Sequence, residues 1–397
     1  MRVIIYYGKL TIGGAERSTI ELANGFCQAG HDVTMFLETK GGALDNNLLP
    51  GVKMMYFFHD TGALKNWNRK WTGVFSMGLR AFLDATWQYI MGCVRKAYYS
   101  IKRPKFDLGI TSFNGLPAKT INKYARCEIR LKMMRSERPI VFNGVPSANV
   151  RVFEHEFASG ELNGFVCVSK HLRESMIKYC RITSDHIHAI YNLKTPFNKI
   201  KHEDFLPDEY INAGECLKIV TVCRLHEPTK GLVRMADVSL DLKNKGYIFK
   251  WFVVGDGVDR NIIENAIKER GIDDCMYVCG FKKDPYSYYK YADLVAILSY
   301  VEGFCGAVTE AKLLEKPLIV THFAVEEQIQ HGVNGYIVEN NTESIIKGME
   351  RLLSDETLRK SLAVNGLAPE ILDNEIKIRQ FEELYKVYKD IKRNEKQ

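Results

Sequence analysis

The sequence predicts an α/β protein made of two doubly wound parallel sheets. Apolar runs of strand length alternate with helical segments in both halves of the chain, which is the pattern of repeated βαβ units. A polar stretch at residues 196–216 separates the two series. The length of 397 residues fits this division, because a domain usually takes about 100 to 200 residues.

The first series opens with a βαβ unit. An apolar strand at Val3–Tyr7 is followed by a glycine-containing loop, a helix from Ala15 to about Gln28 and a second strand at His31–Leu37. Between residues 71 and 101, apolar side chains recur at three- and four-residue steps, which predicts a long amphipathic helix that ends before Pro104. Further strands are expected at Leu108–Ser112, Ile140–Phe142, Gly164–Val168 and Ile187–Tyr191.

The second series repeats this alternation. Its strands are expected at Leu217–Val222, Phe249–Val254, Met276–Val278, Leu294–Leu298 and Leu318–Thr321. Its helices are expected at Arg260–Arg270, Asp284–Ala292, Gly306–Leu314, 342–354 and 375–392. We therefore expect an N-terminal domain at residues 1–195, a linker at 196–216, a second domain at 217–372, and a C-terminal helix at 373–397 that crosses back to the first domain.

Composition excludes several classes of protein. Apolar residues make up 46% of the chain and charged residues 26%, as in soluble globular proteins rather than disordered or fibrous ones. No run of 18 uninterrupted apolar residues predicts a membrane-spanning helix, and the N-terminus lacks the pattern of a signal peptide. Ten cysteines without a CxxC pair favour reduced thiols in an intracellular protein.

The net charge of +7 is concentrated in one segment. Residues 51–138 hold 17 Lys and Arg against 5 Asp and Glu, which indicates an anionic partner: nucleic acid, a phosphorylated substrate or anionic lipid. The most basic part, residues 61–105, also carries Trp67, Trp71 and Trp87. This combination is typical either of a helix that rests on an anionic membrane surface or of a packed helix with a solvated basic face.

Two loops that follow predicted strands carry candidate anion-binding residues, because ligands of doubly wound sheets bind beyond the carboxyl ends of the strands. In the first loop, Gly13 and Gly14 allow backbone amides to approach an anion at a helix N-terminus, and a plain tight turn is the alternative. In the second, Arg224 and Lys230 are placed to neutralise a diphosphate, and a solvated loop is the alternative.

A third loop holds two carboxylates eight positions apart. Glu302 lies in a glycine-rich turn, and Glu310 lies inside the helix that follows it. Acidic residues are rare on apolar helix faces unless they have a partner. This spacing therefore favours a site in which carboxylates hold hydroxyl groups while the helix N-terminus faces a phosphate.

Together, these motifs resemble glycosyltransferase family 4 in order and spacing. The resemblance covers essentially the whole chain, and the residues that carry it are Gly13-Gly14-Ala15-Glu16-Arg17, Arg224 with Lys230-Gly231, Gly255-Asp256-Gly257, Gly280-Phe281, Glu302-x7-Glu310 and Gln330–Gly335. Such enzymes are retaining, depend on nucleotide sugars and have the GT-B fold, in which two Rossmann-like domains face a central cleft. The stretch Arg135–Arg138 is similar to one found in members that build capsules, O-antigens and other bacterial surface polysaccharides.

The resemblance also implies roles for individual residues. Arg224 and Lys230 would bind the donor diphosphate, and Glu302 would orient the transferred sugar; these three form the implied catalytic set. The implied donor-binding residues are Gly13, Gly14, Gly255, Gly280, Phe281, Gly303, Phe304, Cys305, Gly306 and Glu310. Glu137, Arg138 and His155 would lie on the acceptor side. Two positions depart from the family pattern, since Cys305 stands where Gly or Pro is common and Pro139 replaces an Asn.

On this basis we expect a metal-independent hexosyltransferase without a cofactor. The resemblance implies retention of anomeric configuration, a nucleotide-sugar donor such as a UDP-sugar, and a glycan or lipid-linked oligosaccharide acceptor. Such an enzyme is expected in the cytoplasm, on the inner face of the plasma membrane, with the region 61–105 as a candidate contact to anionic lipid.

Two alternatives belong to other functional classes. The first is an NAD-dependent enzyme that modifies nucleotide sugars, but the first strand is not followed by the GxGxxG pattern of dinucleotide binding. The second is a non-enzymatic module that binds nucleic acid through the basic segment, for which the sequence shows no reading motif. We therefore expect no nucleic-acid partner.

Overall fold

A computed structural model describes residues 1–60, 79–137, 139–142, 144–194 and 204–394. The chain divides into two compact units, one formed by residues 1–194 with 372–397 and the other by residues 195–371, here called unit 1 and unit 2. Three residues named above lie outside the described ranges: Trp67, Trp71 and Arg138. None of the helices within those ranges is long and apolar enough to cross a membrane.

The described chain alternates strands and helices. The strands are β1 Arg2–Tyr7, β2 Asp32–Lys40, β3 Lys53–His59, β4 Lys105–Thr111, β5 Arg126–Met134, β6 Val141–Phe142, β7 Val145–Pro146, β8 Gly164–Cys167, β9 Ile187–Ala189, β10 Leu217–Val222, β11 Phe249–Val254, β12 Met276–Gly280, β13 Leu294–Ile297, β14 Leu318–Thr321 and β15 Tyr336–Val338. The α-helices are α1 Gly14–Gln28, α2 Leu79–Lys102, α3 Lys119–Tyr124, α4 Asn149–Ala158, α5 Lys170–Tyr179, α6 Asp208–Ile211, α7 Glu227–Lys230, α8 Leu232–Asn244, α9 Arg260–Arg270, α10 Tyr286–Lys290, α11 Gly306–Leu313, α12 Thr342–Ser354, α13 Glu356–Ser361, α14 Pro369–Leu372 and α15 Asn374–Asn394.

The sheet of unit 1 is parallel, and its described strands lie in the order β3-β2-β1-β4-β5-β8-β9. The side chains of β1 from Val3 to Tyr7 are buried, as expected for a strand covered by helices on both faces. The chain winds outward from β1 in one direction and from β4 in the other. The topological switch point of unit 1 therefore lies between these two strands, where the loops that follow them diverge.

One strand predicted for this sheet is wrong. Val141–Phe142 pairs antiparallel with Val145–Pro146 in a separate two-stranded hairpin, although the sequence predicts a sheet strand at Ile140–Phe142. The neighbour of β4 in the sheet is β5, which the sequence analysis missed because four charged residues alternate with its apolar ones. After β8, Ser169 caps α5 by accepting a hydrogen bond from the backbone N–H of Leu172 at 3.1 Å.

The sheet of unit 2 is also parallel, with its described strands in the order β12-β11-β10-β13-β14-β15. Alternate residues of these strands enter two different apolar clusters. One cluster contains Ile219 and Trp251 and the other contains Val220 and Phe252, so both faces of the sheet are covered. Here the switch point lies between β10 and β13, because the chain winds outward from each of them.

The polar stretch expected as a linker is only partly described. Residues 195–203 lie outside the described ranges, whereas α6 packs on unit 2 through Tyr210, which is buried and donates its hydroxyl to the carbonyl oxygen of Tyr288 at 2.9 Å. At the other end of unit 2, α15 returns to unit 1. Its residue Asn374 exchanges two hydrogen bonds with the backbone of Lys194, and its Phe381 ring lies 5.4 Å from the ring of Phe26.

A buried ion pair stabilises the centre of unit 1. Lys132 of β5 donates to a carboxylate oxygen of Glu156 of α4 at 2.6 Å, and the other oxygen accepts the backbone N–H of Ala118 at 2.9 Å. Both side chains are at least 95% buried. Burial lowers the pKa of Lys132, and Glu156 opposes that shift. Each charge therefore depends on the other to remain in the core.

We expect Glu156→Gln to reduce the free energy of unfolding by about 3 to 5 kcal/mol, because it leaves the Lys132 ammonium buried without an anionic partner. Urea titration followed by circular dichroism measures this change. The matched control is Glu343→Gln, which removes an exposed i,i+4 pair with Lys347 and should leave stability unchanged within error. Equal effects of the two variants would contradict the stabilising role of Glu156.

Candidate functional site

The switch point of unit 2 brings Lys230 and Glu302 into contact. Lys230 ends the helix α7 that follows β10, and Glu302 lies in the loop that follows β13. The Lys230 ammonium donates to Oε1 of Glu302, and the same oxygen accepts the hydroxyl of Ser299 at 2.8 Å. Burial, the largest single effect, lowers the pKa of Lys230, but the charge of Glu302, its hydrogen bond and the neighbouring thiols of Cys305 and Cys223 together raise it. Lys230 is therefore a fixed, protonated cation.

Backbone and side-chain contacts fasten these two loops to each other. The backbone N–H of Tyr300 donates to the carbonyl oxygen of Thr229 at 2.8 Å. The guanidinium of Arg234 lies 4.1 Å from the centre of the Tyr300 ring and donates to the carbonyl of Leu298. Sequence reasoning missed Arg234, and the signal that could have found it is a cation on the apolar face of α8.

Arg224 lies at the carboxyl end of β10 and is exposed. Within the described ranges it makes no ion pair, in contrast to Lys230. An exposed guanidinium near the switch point is free to form a bidentate contact with a phosphate group. The site therefore combines one neutralised cation with one that has no counterion among the described residues.

Gly255 allows the loop after β11 to approach the loop that carries Arg224. A Cβ at this position would lie 1.8 Å from the carbonyl oxygen of Cys223, and the φ angle is +148°. The N–H of Gly255 donates to the carbonyl oxygen of Gly280 at 2.9 Å, which joins the end of β11 to the end of β12. Phe281 follows directly, with 36% of its surface exposed. Gly255 thus has a structural role that positions Arg224 and Phe281.

Glu310 lies on the second turn of α11. Its Oε2 accepts a hydrogen bond from the hydroxyl of Tyr289 at 3.3 Å, and the Tyr289 side chain is fully buried. Burial and the charge of Glu310 raise the pKa of Tyr289 far above its usual value, so Tyr289 remains a hydrogen-bond donor. Glu310 is half-buried, and the hydrogen bond from Tyr289 fixes its carboxylate. A carboxylate that binds hydroxyl groups needs this combination of access and support.

The turn before α11 is held by Gln328. The side-chain amide of Gln328 accepts the N–H of Cys305 at 3.2 Å and donates to the carbonyl of Cys305 at 2.9 Å. The Cys305 side chain is 3% exposed, and burial raises the pKa of its thiol to about 12. A ligand at this turn would meet the backbone of residues 303–306 rather than the thiol.

The switch point of unit 1 lies beside the glycine pair. Gly13 caps α1, and Gly14 is the first residue of that helix, which runs for 15 residues. The carboxylate of Glu16 folds back over Gly13, since a Cβ there would lie 2.3 Å from Glu16 Oε2. Thr11 holds this carboxylate by donating its hydroxyl to Oε1 at 2.9 Å. An anionic group therefore already lies beside the helix N-terminus.

Two residues after β4 and β5 were not predicted as site residues. Arg135 donates to the backbone and hydroxyl of Ser112 and to the side chain of Asn192, so it ties three loops together, and burial lowers its pKa to about 10. Asn114 is 3% exposed, and its amide nitrogen and oxygen have no hydrogen-bond partner among the described residues. A buried amide without a protein partner at this edge is suited to bind a polar ligand or a water molecule.

Of the acceptor-side candidates, Glu137 has a clear environment. Its Oε1 accepts a hydrogen bond from the hydroxyl of Ser175 and lies 3.1 Å from Nε2 of His171. The hydrogen bond to His171 is the main reason why the pKa of Glu137 is lowered. His155 is an exposed side chain on α4, and Arg138 lies outside the described residues. Sequence reasoning missed His171, for which no motif gave a signal.

Comparisons with known proteins agree on the kind of domain present. Residues 208–368 match the family model of the glycosyl transferases group 1. The capsular polysaccharide biosynthesis glycosyltransferase CapM of Staphylococcus aureus is 27% identical over 140 residues, which are 34% of this chain and 37% of CapM. A 4-alpha-N-acetylgalactosaminyltransferase of Campylobacter jejuni, named for a diphospho-undecaprenol substrate, is 27% identical over 115 residues, which are 28% of this chain and 32% of that enzyme.

The matched segment thus spans about a third of the length of these relatives. The fold is supported over nearly the whole chain by the crystal structure of Anabaena HepE in complex with UDP-glucose. That structure superposes with a TM-score of 0.72 and 17% identity, covering 98% of this chain and all of HepE. The protein therefore has the GT-B fold expected from the sequence.

No group of three or more His, Cys, Asp and Glu side chains in the described part of the chain is arranged to hold a metal ion. Three carboxylates of the candidate site residues are instead paired: Glu302 with a lysine, Glu310 with a tyrosine and Glu137 with a histidine. The site in unit 2 presents the held cation Lys230, the exposed cation Arg224, a helix N-terminus and the carboxylate of Glu310, which together suit a ligand that carries both phosphates and hydroxyls.

We expect Gly255→Ala to lower the midpoint of thermal unfolding more than Gly246→Ala does. Both glycines have positive φ, but a Cβ at Gly246 meets nothing within 4 Å, whereas one at Gly255 collides with the backbone of Cys223. Calorimetry measures the unfolding midpoint of each variant, and the difference between the two reports the effect of the collision apart from the strain at positive φ. Equal decreases in the midpoint would show that the loop moves away from the new Cβ without loss of stability.

Proposed function

We propose that this protein is a retaining glycosyltransferase that moves a sugar from a nucleotide diphosphate sugar, such as a UDP-sugar, to a glycan acceptor. The observation that carries the proposal is the placement of Arg224 and the Lys230–Glu302 pair at one switch point, before the α11 N-terminus and Glu310. This site lies within the segment that matches the glycosyl transferases group 1.

The residues suit a nucleotide sugar in three respects. Arg224 supplies a positive charge for a diphosphate, Lys230 supplies a second cation that it would share with Glu302, and the amides at the start of α11 supply further donors. Glu310, held by Tyr289, can accept hydrogen bonds from the ribose hydroxyls. Phe281, at the end of β12, offers a partly exposed ring to the base.

In the proposed reaction, the bond between the anomeric carbon and the diphosphate oxygen breaks and a bond from the acceptor hydroxyl oxygen to that carbon forms on the same face. The acceptor proton passes to the departing diphosphate, so no protein nucleophile is required. The protein contributes through orientation of the sugar by Glu302 and through stabilisation of the developing charge on the diphosphate by Arg224 and Lys230. We propose that the reaction needs no metal ion.

We assign the acceptor to unit 1. The unsatisfied amide of Asn114 and the Glu137–His171 pair are the polar groups there that suit hydroxyl-rich ligands. A lipid-linked oligosaccharide is the acceptor class we propose, because one relative is named for a diphospho-undecaprenol substrate and others for capsule and O-antigen synthesis.

We expect UDP-sugars to raise the midpoint of thermal unfolding in the presence of EDTA, and Arg224→Ala to weaken that binding by about 10- to 100-fold. Arg224 has no ion pair among the described residues, so its removal should not disturb the fold. Arg351→Ala, which removes an exposed arginine of α12, is the matched control and should bind like the unaltered protein. Isothermal titration with UDP quantifies both variants.

Stabilisation by NAD or by nucleic acid, but by no nucleotide sugar, would overturn the proposal. The stereochemistry is tested separately: proton NMR of the first product should show the anomeric configuration of the donor. An inverted product would refute the retaining reaction while leaving the donor site in place.

We expect Asn114→Ala to raise the KM for the glycan acceptor about tenfold while donor affinity stays unchanged. Because the amide makes no hydrogen bond within the described chain, its removal should cost no stability. Steady-state kinetics with a lipid-linked acceptor and a denaturation curve measure the two effects. Lower stability with unchanged KM would instead identify Asn114 as a structural residue.

A further inference from the structure

Helix α2 exposes a continuous row of large apolar side chains. We call this row the α2 stripe; its members are Leu83, Trp87, Ile90, Val94, Tyr98 and Ile101. Each is between 48% and 82% exposed. Exposed apolar residues are common singly, but a row of six on one helix is not explained by the packing of this unit.

The spacing places the whole stripe on one face of the helix. Steps of three and four residues confine the six side chains to an arc of about 80°, and the row extends about 27 Å along the axis. Between Leu83 and Ile101, no charged residue falls within this arc. The stripe is therefore a narrow, straight apolar ridge rather than a scattered set.

The opposite face of α2 is fixed against the sheet, so the helix cannot turn the stripe inward. Gly92 is buried, and a Cβ there would lie 2.2 Å from the ring of Phe58 on β3. Arg95 donates to the carbonyl oxygen of Phe57 at 2.9 Å and lies over the ring of Tyr56. Rotation of the helix would break these contacts and would require a side chain where only glycine fits.

Cations flank the C-terminal end of the stripe. Residues 83–105 hold five Lys and Arg against one Asp. Lys102 and Lys105 are exposed, and Lys105 lies opposite the exposed Arg126 in the register of β4 and β5. Arg103 donates to the carbonyl oxygen of Asn122 at 2.6 Å, which places the exposed Lys123 of α3 beside the same end.

We propose that the α2 stripe docks this protein on an anionic membrane surface. A helix that lies in a lipid interface buries one apolar face and keeps cations at the level of the headgroups, and α2 has both features. A second copy of the chain in parallel orientation would bring these like charges together, whereas an anionic surface meets them with opposite charge. The inference does not depend on the proposed reaction, since the stripe lies outside the residues assigned to donor and acceptor.

The test is co-sedimentation of the full chain with vesicles of phosphatidylglycerol and phosphatidylethanolamine, compared with vesicles of phosphatidylcholine. We expect binding to the anionic vesicles that weakens with added salt. Val94→Glu and Ile90→Glu should each reduce the partition coefficient about tenfold or more, because each places a carboxylate in the centre of the stripe. The matched control is Val152→Glu on α4, since Val152 is 51% exposed and Val94 is 52% exposed.

Three outcomes would overturn the proposal. The first is binding of Val94→Glu equal to that of the unaltered protein, or equal losses in Val94→Glu and Val152→Glu. The second is a protein that is dimeric by light scattering, does not bind vesicles, and becomes monomeric in Val94→Glu, which would make the stripe a subunit interface. The third is absence of vesicle binding together with a large loss of thermal stability in Val94→Glu alone, which would mean that another part of the chain covers the stripe.

Discussion

The ion pair between Lys230 and Glu302 is the contact on which the candidate site in unit 2 depends. It joins the two loops that diverge at the switch point, and it keeps Lys230 protonated in a largely buried position. Without this carboxylate, the buried ammonium would lower the stability of the fold, because an unpaired charge loses its hydration. The same pair leaves Arg224 as the cation without a counterion among the described residues, so an incoming phosphate would first meet Arg224 and then compete with Glu302 for Lys230.

The two switch points differ in the charges that lie beside the N-terminus of the neighbouring helix. In unit 2, cations lie before α11, and the turn at Cys305 is held by Gln328 so that its backbone amides stay aligned. In unit 1, the carboxylate of Glu16 already lies next to the N-terminus of α1. A phosphate could bind there only after this carboxylate moves, so the glycine pair is a weaker anion site than its sequence pattern indicates.

The sequence predicted the alternation of elements, and with it the loops that carry Arg224, Lys230, Glu302 and Glu310, because buried parallel strands read as continuous apolar runs. It missed β5, because charged residues alternate with its apolar ones and the buried charge of Lys132 is matched by Glu156, which is distant in sequence. It also missed Asn114 and His171. Their environment depends on which strands are neighbours in the sheet, and a single sequence contains no direct signal of that order.

Not all of the cations in the basic segment 51–138 are available to an anionic partner. Lys132 and Arg135 form hydrogen bonds in the interior, and Arg95 and Lys96 lie over aromatic rings of β3. In the part of the chain that the structure describes, the exposed cations near the C-terminal end of α2 are Lys102, Lys105, Lys123 and Arg126. Among the described residues, few exposed charges lie near the stripe. We therefore expect its apolar side chains to supply most of the affinity for a membrane, and salt to weaken that contact without abolishing it.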